Sequence, residues 1–344
     1  MNGLLIAEKY YREFGERMLD EFGDLMPYIA TGLIGEGSEC MGYDDLTSRD
    51  HDFEPGFCIF IPNNLDESRV FALERAYSHL PKEYEGLKRG FMAPVGGNRR
   101  GVIVIENFLF NHTGIKGWDD ENVLGRLTPE WWLKVPEQSL IEITNGKIFI
   151  DYYGLITGVR EELKEFPEEI RLKKLAGYML KASQSGQYNY KRCIEHGESG
   201  AAQMALNEFV DAVIHISMLS EHKYTPYYKW CFRAFRDTKI GRKLDIDLEW
   251  MISSDNEPET VKTKEILIEN ICDIISRVVF ENLGNNDKDA GDPKVAYGER
   301  ITGSRAAKKV LNTFNSVDLE KTAYDINSMI GDSYIRNLHI LSGV

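Results

Sequence analysis

The stretch "LIGEGSECMGYDDLTSRDHDFEPGFCIFIP", Leu33 to Pro62, decides how this chain is read. A Gly-Ser pair, Gly37-Ser38, is followed after a spacer by Asp50-His51-Asp52 and then by an apolar run. Successive side chains of a strand point to opposite faces, so Asp50 and Asp52 share one face while His51 and Phe53 share the other. Two ionised carboxylates side by side repel unless a cation sits between them. Hard divalent cations with oxygen ligands answer that need, Mg²⁺ above all. Gly37 lets backbone approach a ligand closely. Ser38 offers a hydroxyl and an N–H to a phosphate, and consecutive turn N–H groups form anion-binding nests. A phosphate cradle beside metal-binding carboxylates is the equipment of phosphoryl or nucleotidyl transfer.

Simpler motifs fail on these residues. A dinucleotide fingerprint lacks its third glycine, and a strand follows where a helix is required. A P-loop lacks the lysine after its last glycine. An EF-hand would need glycine at Pro55 and glutamate at Ile61.

The chain has 344 residues, more than one core usually serves, so two domains are expected. Its net charge of −14 argues against a partner that is long nucleic acid, whose phosphates demand a basic surface. Five cysteines (Cys40, Cys58, Cys193, Cys231 and Cys272) are widely spaced, without a CxxC pair. That pattern predicts neither a disulfide framework nor a structural zinc site. The start, "MNGLLIAEKYYREFGERMLDEF", lacks a signal-peptide pattern, and no apolar run matches a membrane span. A cytoplasmic protein that makes no use of a membrane is the expectation.

Apolar spacing predicts a helix over 3–24, a strand over 28–35, and a second strand over 50–62 kinked near Pro55-Gly56. A helix over 65–80 has Asp66 or Ser68 as its cap. "VIVIENFLF" (102–110) predicts a strand, "TPEWWLKV" a short aromatic helix, and "SLIEITNGKIFIDYYG" (139–154) a hairpin turning at Asn145-Gly146. Beyond 160 the helical period dominates, at 168–195, 199–221, 226–237, 259–283, 304–315 and 317–331. "ENLGNNDKDAGDPKVAYGERITG" (281–303) is turn-rich and predicts a surface loop. The expected fold class is α+β, with a mixed-sheet domain over 1–158 and an all-α helical bundle over 159–344.

Gly37-Ser38, eleven intervening residues, then Asp50-His51-Asp52-Phe53 resembles the signature of the DNA polymerase β-like nucleotidyltransferase superfamily. The longer run "GSECMGYDDLTSRDHDF" resembles its small bacterial branch, which includes antibiotic nucleotidyltransferases. With "QSGQYNYKRC" and "YTPYYKWCFRAFR" downstream, the chain resembles an uncharacterised bacterial family of that superfamily with a C-terminal helical domain. The resemblance implies a nucleotidyltransferase fold in the first domain and a third carboxylate on a neighbouring strand. Asp151, in the second arm of the expected hairpin, is the favoured residue, and Glu142, in the first arm, is its competitor. It also implies two Mg²⁺ ions held by Asp50, Asp52 and Asp151, with ATP or another NTP as co-substrate. The acceptor would be a hydroxyl of a small molecule or protein. The alternatives are a catalytically silent nucleotide-binding or regulatory module, and an RNA-terminal nucleotidyltransferase.

In relatives of this kind a basic side chain of the helical domain reaches the triphosphate. Lys229 is the first candidate and Lys191 the second, and the rival reading of Lys229 is a solvated lysine beside packed aromatics. Arg49 is placed either to contact phosphate or to pair with Asp44 or Asp45. His51 and His215 fit core histidines better than metal ligands. Arg99 and Arg100 in "GGNRRG" fit a solvated turn better than a phosphate site. Trp131 and Trp132 fit core aromatics.

Overall fold

The computed structural model describes residues 2–45, 54–89, 99–118 and 123–284. Arg49, Asp50, His51 and Asp52 lie outside the described residues, as do the helices expected at 304–315 and 317–331. The chain divides into two compact units, residues 1–128 with 135–164, and residues 129–134 with 165–344.

In the first unit, Asn2 caps α1 (Gly3–Tyr10) by accepting from Leu5 N. A π-helical turn, Tyr11–Gly15, joins α1 to α2 (Glu16–Asp20), so the helix expected over 3–24 forms over 3–20 with one widened turn and gives way to turns at 21–25. Gly15 is needed there, because a Cβ on it would lie 2.6 Å from the Phe57 ring. The fully buried strand β1 (Ala30–Leu33) leads through the Gly37 turn to α3 (Ser38–Met41). Strand β2 (Cys58–Ile61) is also fully buried. Asp66 caps α4 (Glu67–Ser78), accepting from Ser68 N and Arg69 N. A small ribbon, β3 (Glu83–Tyr84) with β4 (Leu87–Lys88), precedes β5 (Gly101–Val104).

Two expectations are corrected here. "VIVIENFLF" is not one strand, since β5 stops at Val104 and α5 (Ile105–Thr113) follows at once. From Ile105 onward the buried positions are Ile105, Leu109 and Thr113, a four-residue step that only a helix satisfies. After α6 (Pro129–Lys134), which belongs to the second unit, the expected hairpin is also absent. "EQSLIEIT" forms α7 (Glu137–Thr144), and only its second half is a strand, β6 (Lys147–Asp151). Asn145 is the C-cap of α7 and Gly146 takes the left-handed conformation (φ 61°) that stops the helix. Glu142 therefore stands on a helix.

The sheet order is β5-β2-β1-β6. Strand β1 is antiparallel to both β2 and β6, whereas β2 and β5 run parallel, so the sheet is mixed. One face meets α1, α2 and α4 through Tyr10, Tyr11, Leu19, Phe57, Ile59, Ile61 and Leu73. On the other, Phe60 packs edge-on against Phe108 of α5 (5.4 Å). The unit closes with α8 (Thr157–Glu162).

Among its described residues the second unit is helical, with α6, α9 (Glu168–Ala182), a π-helical segment (Ser183–Tyr190), α10 (Lys191–Glu195), α11 (Ser199–Ser220), α12 (Tyr228–Arg236), α13 (Gly241–Ser253) and α14 (Pro258–Gly284). Gly186 lets the π segment press on α11, because a Cβ there would meet the Phe209 ring at 2.4 Å. Helix α13 was not expected, although Leu244, Leu248 and Met251 bury at steps of four and three. Lys264 of α14 is fully buried and donates to Ser254 O, Asp255 O and Asn256 Oδ1, tying down the turn between α13 and α14. Among the described residues, no helix is long and apolar enough to cross a membrane.

Candidate active site

The site is built at the end of the sheet where β1 leaves and β2 enters. Because β1 and β2 are antiparallel, with Gly32 opposite Cys58, the turn after β1 and the chain before β2 meet at one end of the sheet. Asn145 fixes the exit of β1 by a double clamp, in which Gly35 N donates to its Oδ1 (2.9 Å) and its Nδ2 donates to Gly35 O (2.7 Å). Gly37 follows at φ 116°, outside the range of ordinary side-chain-bearing residues. Ser38 then opens α3, and Gly42 (φ 70°) closes it, with Tyr43 N donating to Ser38 O.

Charged side chains crowd this end. Glu39 is buried, and its carboxylate accepts from Arg100 Nη2 at 2.8 Å. Arg100 Nη1 also lies 3.8 Å from Glu54 Oε1. Arg99, half-exposed, pairs with Glu36 at 2.8 Å. The expectation of a solvated Arg99-Arg100 turn thus fails for Arg100, whose side chain is 6% exposed. Position beside a parallel strand, rather than composition, buries it.

A second cluster joins α5 and α7. His112 Nε2 lies 3.1 Å from Glu142 Oε2, its Nδ1 lies 2.8 Å from Phe108 O, and Gln138 Nε2 donates to Glu142 Oε1 at 2.7 Å. Both ring nitrogens face acceptors, an arrangement that only the imidazolium satisfies fully. Burial opposes that charge, but the bonds to Glu142 and Phe108 and the charges of Glu142 and Glu36 raise the His112 pKa. Burial likewise opposes ionisation of Glu142. Donors His112 and Gln138, with the charges of His112 and Arg99, outweigh it and hold the carboxyl below its usual range. The fields of Arg99 and Glu36 tie this cluster to the Gly37 end of the sheet.

Asp151 is not brought to that end. The register sets it opposite Ala30, at the start of β1, whereas Gly37 and Ser38 follow the other end. Its carboxylate accepts from Leu155 N (2.7 Å), Ile156 N (3.0 Å), Thr157 N (2.9 Å) and Thr157 Oγ1 (2.8 Å). That is the work of a cap on the turn into α8. Strand β5, the other neighbour of β2, carries no carboxylate, and Glu106 just beyond it accepts from Asn63 N.

In the second unit, Lys191 lies 3.8 Å from Glu265 and is three-quarters buried. Lys229 is exposed and its ammonium sits 5.1 Å from the Trp230 ring centre, beside the Tyr227 and Tyr228 rings, which are tilted against each other with centroids 4.1 Å apart. His215 stacks on Tyr178 at 4.1 Å, and Trp132 is a core residue. Among the described residues no group of three His, Cys, Asp or Glu side chains is arranged to hold a metal ion, and Asp50 and Asp52 are not among them.

Of the Gly37 end, sequence reasoning had named Glu142, Arg99 and Arg100 and missed Glu36, Glu39, Glu54 and His112, and the burial of Arg100 had one legible signal. Arg99-Arg100 directly precede an apolar run, as residues anchored by the first pair of a buried strand do. Glu39, Glu54 and His112 had none, because their partners come from other elements.

Residues 132–231 match the model of a domain of unknown function, DUF4037. No curated protein matches the chain. A solved nucleotidyltransferase-like protein from Exiguobacterium sibiricum 255-15 is similar over 88% of this chain and 86% of its own, at 12% identity and a TM-score of 0.36.

Proposed function

We propose that this chain is a nucleotidyltransferase. It would move a nucleoside monophosphate, AMP from ATP in the first instance, to a hydroxyl of a small molecule or protein. The observation that carries the reading is the meeting, at one end of the sheet, of the Gly37-Ser38 turn and the chain at Glu54, two residues beyond Asp52 in sequence. A Gly-Ser turn and an Asp-x-Asp segment separated by eleven residues acquire a common purpose only if folding makes them neighbours.

In this reading the Gly37-Ser38 turn receives the triphosphate, and Asp50 and Asp52 are the first two metal ligands. Glu142 supplies the third carboxylate, in place of Asp151. Its two oxygens each accept one donor, which orients the group and leaves lone pairs for a cation. The hard oxygen donors of this end suit Mg²⁺. When bound, a pair of such ions would neutralise the triphosphate and acidify the acceptor hydroxyl. The acceptor oxygen forms a bond to the α-phosphorus, the bond from α-phosphorus to the bridging oxygen breaks, and pyrophosphate leaves. The acceptor proton passes to a carboxylate of the site. Lys229 remains the candidate cation of the helical unit, with Lys191 already facing Glu265, and Arg49 a candidate phosphate contact.

The test is incubation of the protein with each labelled NTP, Mg²⁺ and a cell metabolite extract, scoring label transfer and pyrophosphate release. The Asp50→Ala/Asp52→Ala double variant is expected to be silent. Release at the parental rate from that variant would sink the assignment.

A further inference from the structure

We propose that Arg100 is a positioning residue that fastens the Gly37-Ser38 turn to the chain that enters β2 from Glu54. The inference rests on the nucleotidyltransferase reading and adds to it the part that holds the two halves of the site in register.

The guanidinium reaches both halves. Arg100 Nη2 donates to Glu39 Oε1 at 2.8 Å, one residue after Ser38, and both side chains are nearly fully buried. Arg100 Nη1 lies 3.8 Å from Glu54 Oε1, two residues after Asp52. The arginine itself has little freedom. It immediately precedes β5, where Gly101 N donates to Phe57 O at 2.9 Å and Gly101 stands opposite Cys58 of β2. Its stem lies over Gly56, where an added Cβ would come 2.9 Å from Arg100 Cδ. The glutamate is equally confined. Its carboxylate folds back against Gly37, where an added Cβ would lie 2.6 Å from Glu39 Oε2. Two glycines of the neighbouring turns therefore make room for the two ends of one ion pair.

Such a pair is a poor way to gain stability, because burying both charges offsets most of their attraction. It is a good way to fix geometry. A planar fork can satisfy two carboxylates at once in one orientation, which a lysine ammonium cannot reproduce. Displacing a phosphate-binding turn by about 1 Å from its metal-binding carboxylates costs about a hundredfold in rate.

The test uses the full chain with Arg100→Lys, and Glu39→Gln as a variant that keeps the shape and loses the charge. Two readouts are taken, amide exchange by segment and steady-state pyrophosphate release with Mg²⁺ and ATP. Arg100→Lys is expected to speed exchange in 37–43 and 54–58 together while 67–78 and 147–151 stay parental. It is expected to lower kcat by about ten- to a hundredfold with KM for ATP changed less than about threefold. Glu39→Gln should shift both readouts the same way by less. Exchange that rises throughout the unit, or in one segment alone, overturns the inference, and so does a parental kcat in an active protein. A parent that neither binds Mg²⁺-ATP nor releases pyrophosphate overturns the nucleotidyltransferase reading and the positioning role with it. An active parent matched by both variants overturns the positioning role alone.

Discussion

Two carboxylates nine residues apart in sequence, Glu142 and Asp151, carry opposite kinds of partner. Asp151 is enclosed by donors from 155–157, which fill the lone pairs a cation would need. Glu142 keeps half of its lone pairs, is held ionised, and stands in the field of Arg99. Asp151→Ala should therefore cost about 1–2 kcal/mol in stability, the range for a lost cap, and leave pyrophosphate release per folded molecule unchanged. Glu142→Gln should keep stability within about 1 kcal/mol, since the amide still fits Gln138. It should lower release by about a hundredfold or more, the usual scale for removing a group that acts only in the transition state. Urea unfolding and a pyrophosphate assay on the two variants separate the roles. The reverse pattern would return the third carboxylate to Asp151.

The elements around the site turn on where a backbone must pass close to another. Gly146 follows α7 at φ 61°, and an added Cβ would lie 2.0 Å from Leu33 O and 3.0 Å from Ile34 Cα. Its own N–H donates to Cys40 O, so β6, β1 and α3 converge on this residue. Gly146→Ala should destabilise the protein by more than about 2 kcal/mol, combining left-handed strain with a backbone clash that no rotamer relieves. A urea midpoint equal to the parent's would contradict the convergence. The same residue shows what the sequence made legible. Asn145-Gly146 announced a turn, and a turn is there, but it joins helix to strand. The run before it, Leu140 to Thr144, mixes Ile and Thr with alternating polarity and satisfies both periods over so few residues. Burial of Leu140 and Ile143, three apart, decides for the helix, and that burial depends on α5. The run 102–110 failed for the same reason, since the four apolar residues Val102 to Ile105 start a strand or a helix equally well. The longer helices and the cap at Asp66 were legible because their signals are local. Glu39, Glu54 and His112 were not, because each gains its meaning from a partner that only the tertiary fold supplies.

At the scale of the whole molecule, the helical unit carries an internal cost that varies with pH. On α14, Glu269 is buried and accepts from Gln187 of the π segment at 2.9 Å. Burial pushes its pKa up from 4.5 to about 7, with the charge of Glu265 adding to the rise against the Gln187 bond. Burial also raises Glu265 and Asp273 on the same helix. The folded state therefore binds protons that the unfolded state releases. Stability from Glu269 is fully present below pH 4.5, where both states are protonated. It falls as pH rises through the interval up to about 7, and is level above that. The whole fall amounts to about 3 kcal/mol, at 1.36 kcal/mol for each unit of pKa difference. Glu269→Gln keeps the shape and an acceptor for Gln187 while removing the ionisation. At pH 8 it should be more stable than the parent by about 2–3 kcal/mol. At pH 4 the two should agree within about 0.5 kcal/mol. Urea titrations across that range measure the difference directly. A gap between parent and variant that stays constant with pH would mean that Glu269 ionises in the folded chain much as it does in the unfolded one, and that its place beneath the π segment imposes no charge penalty on the helical unit.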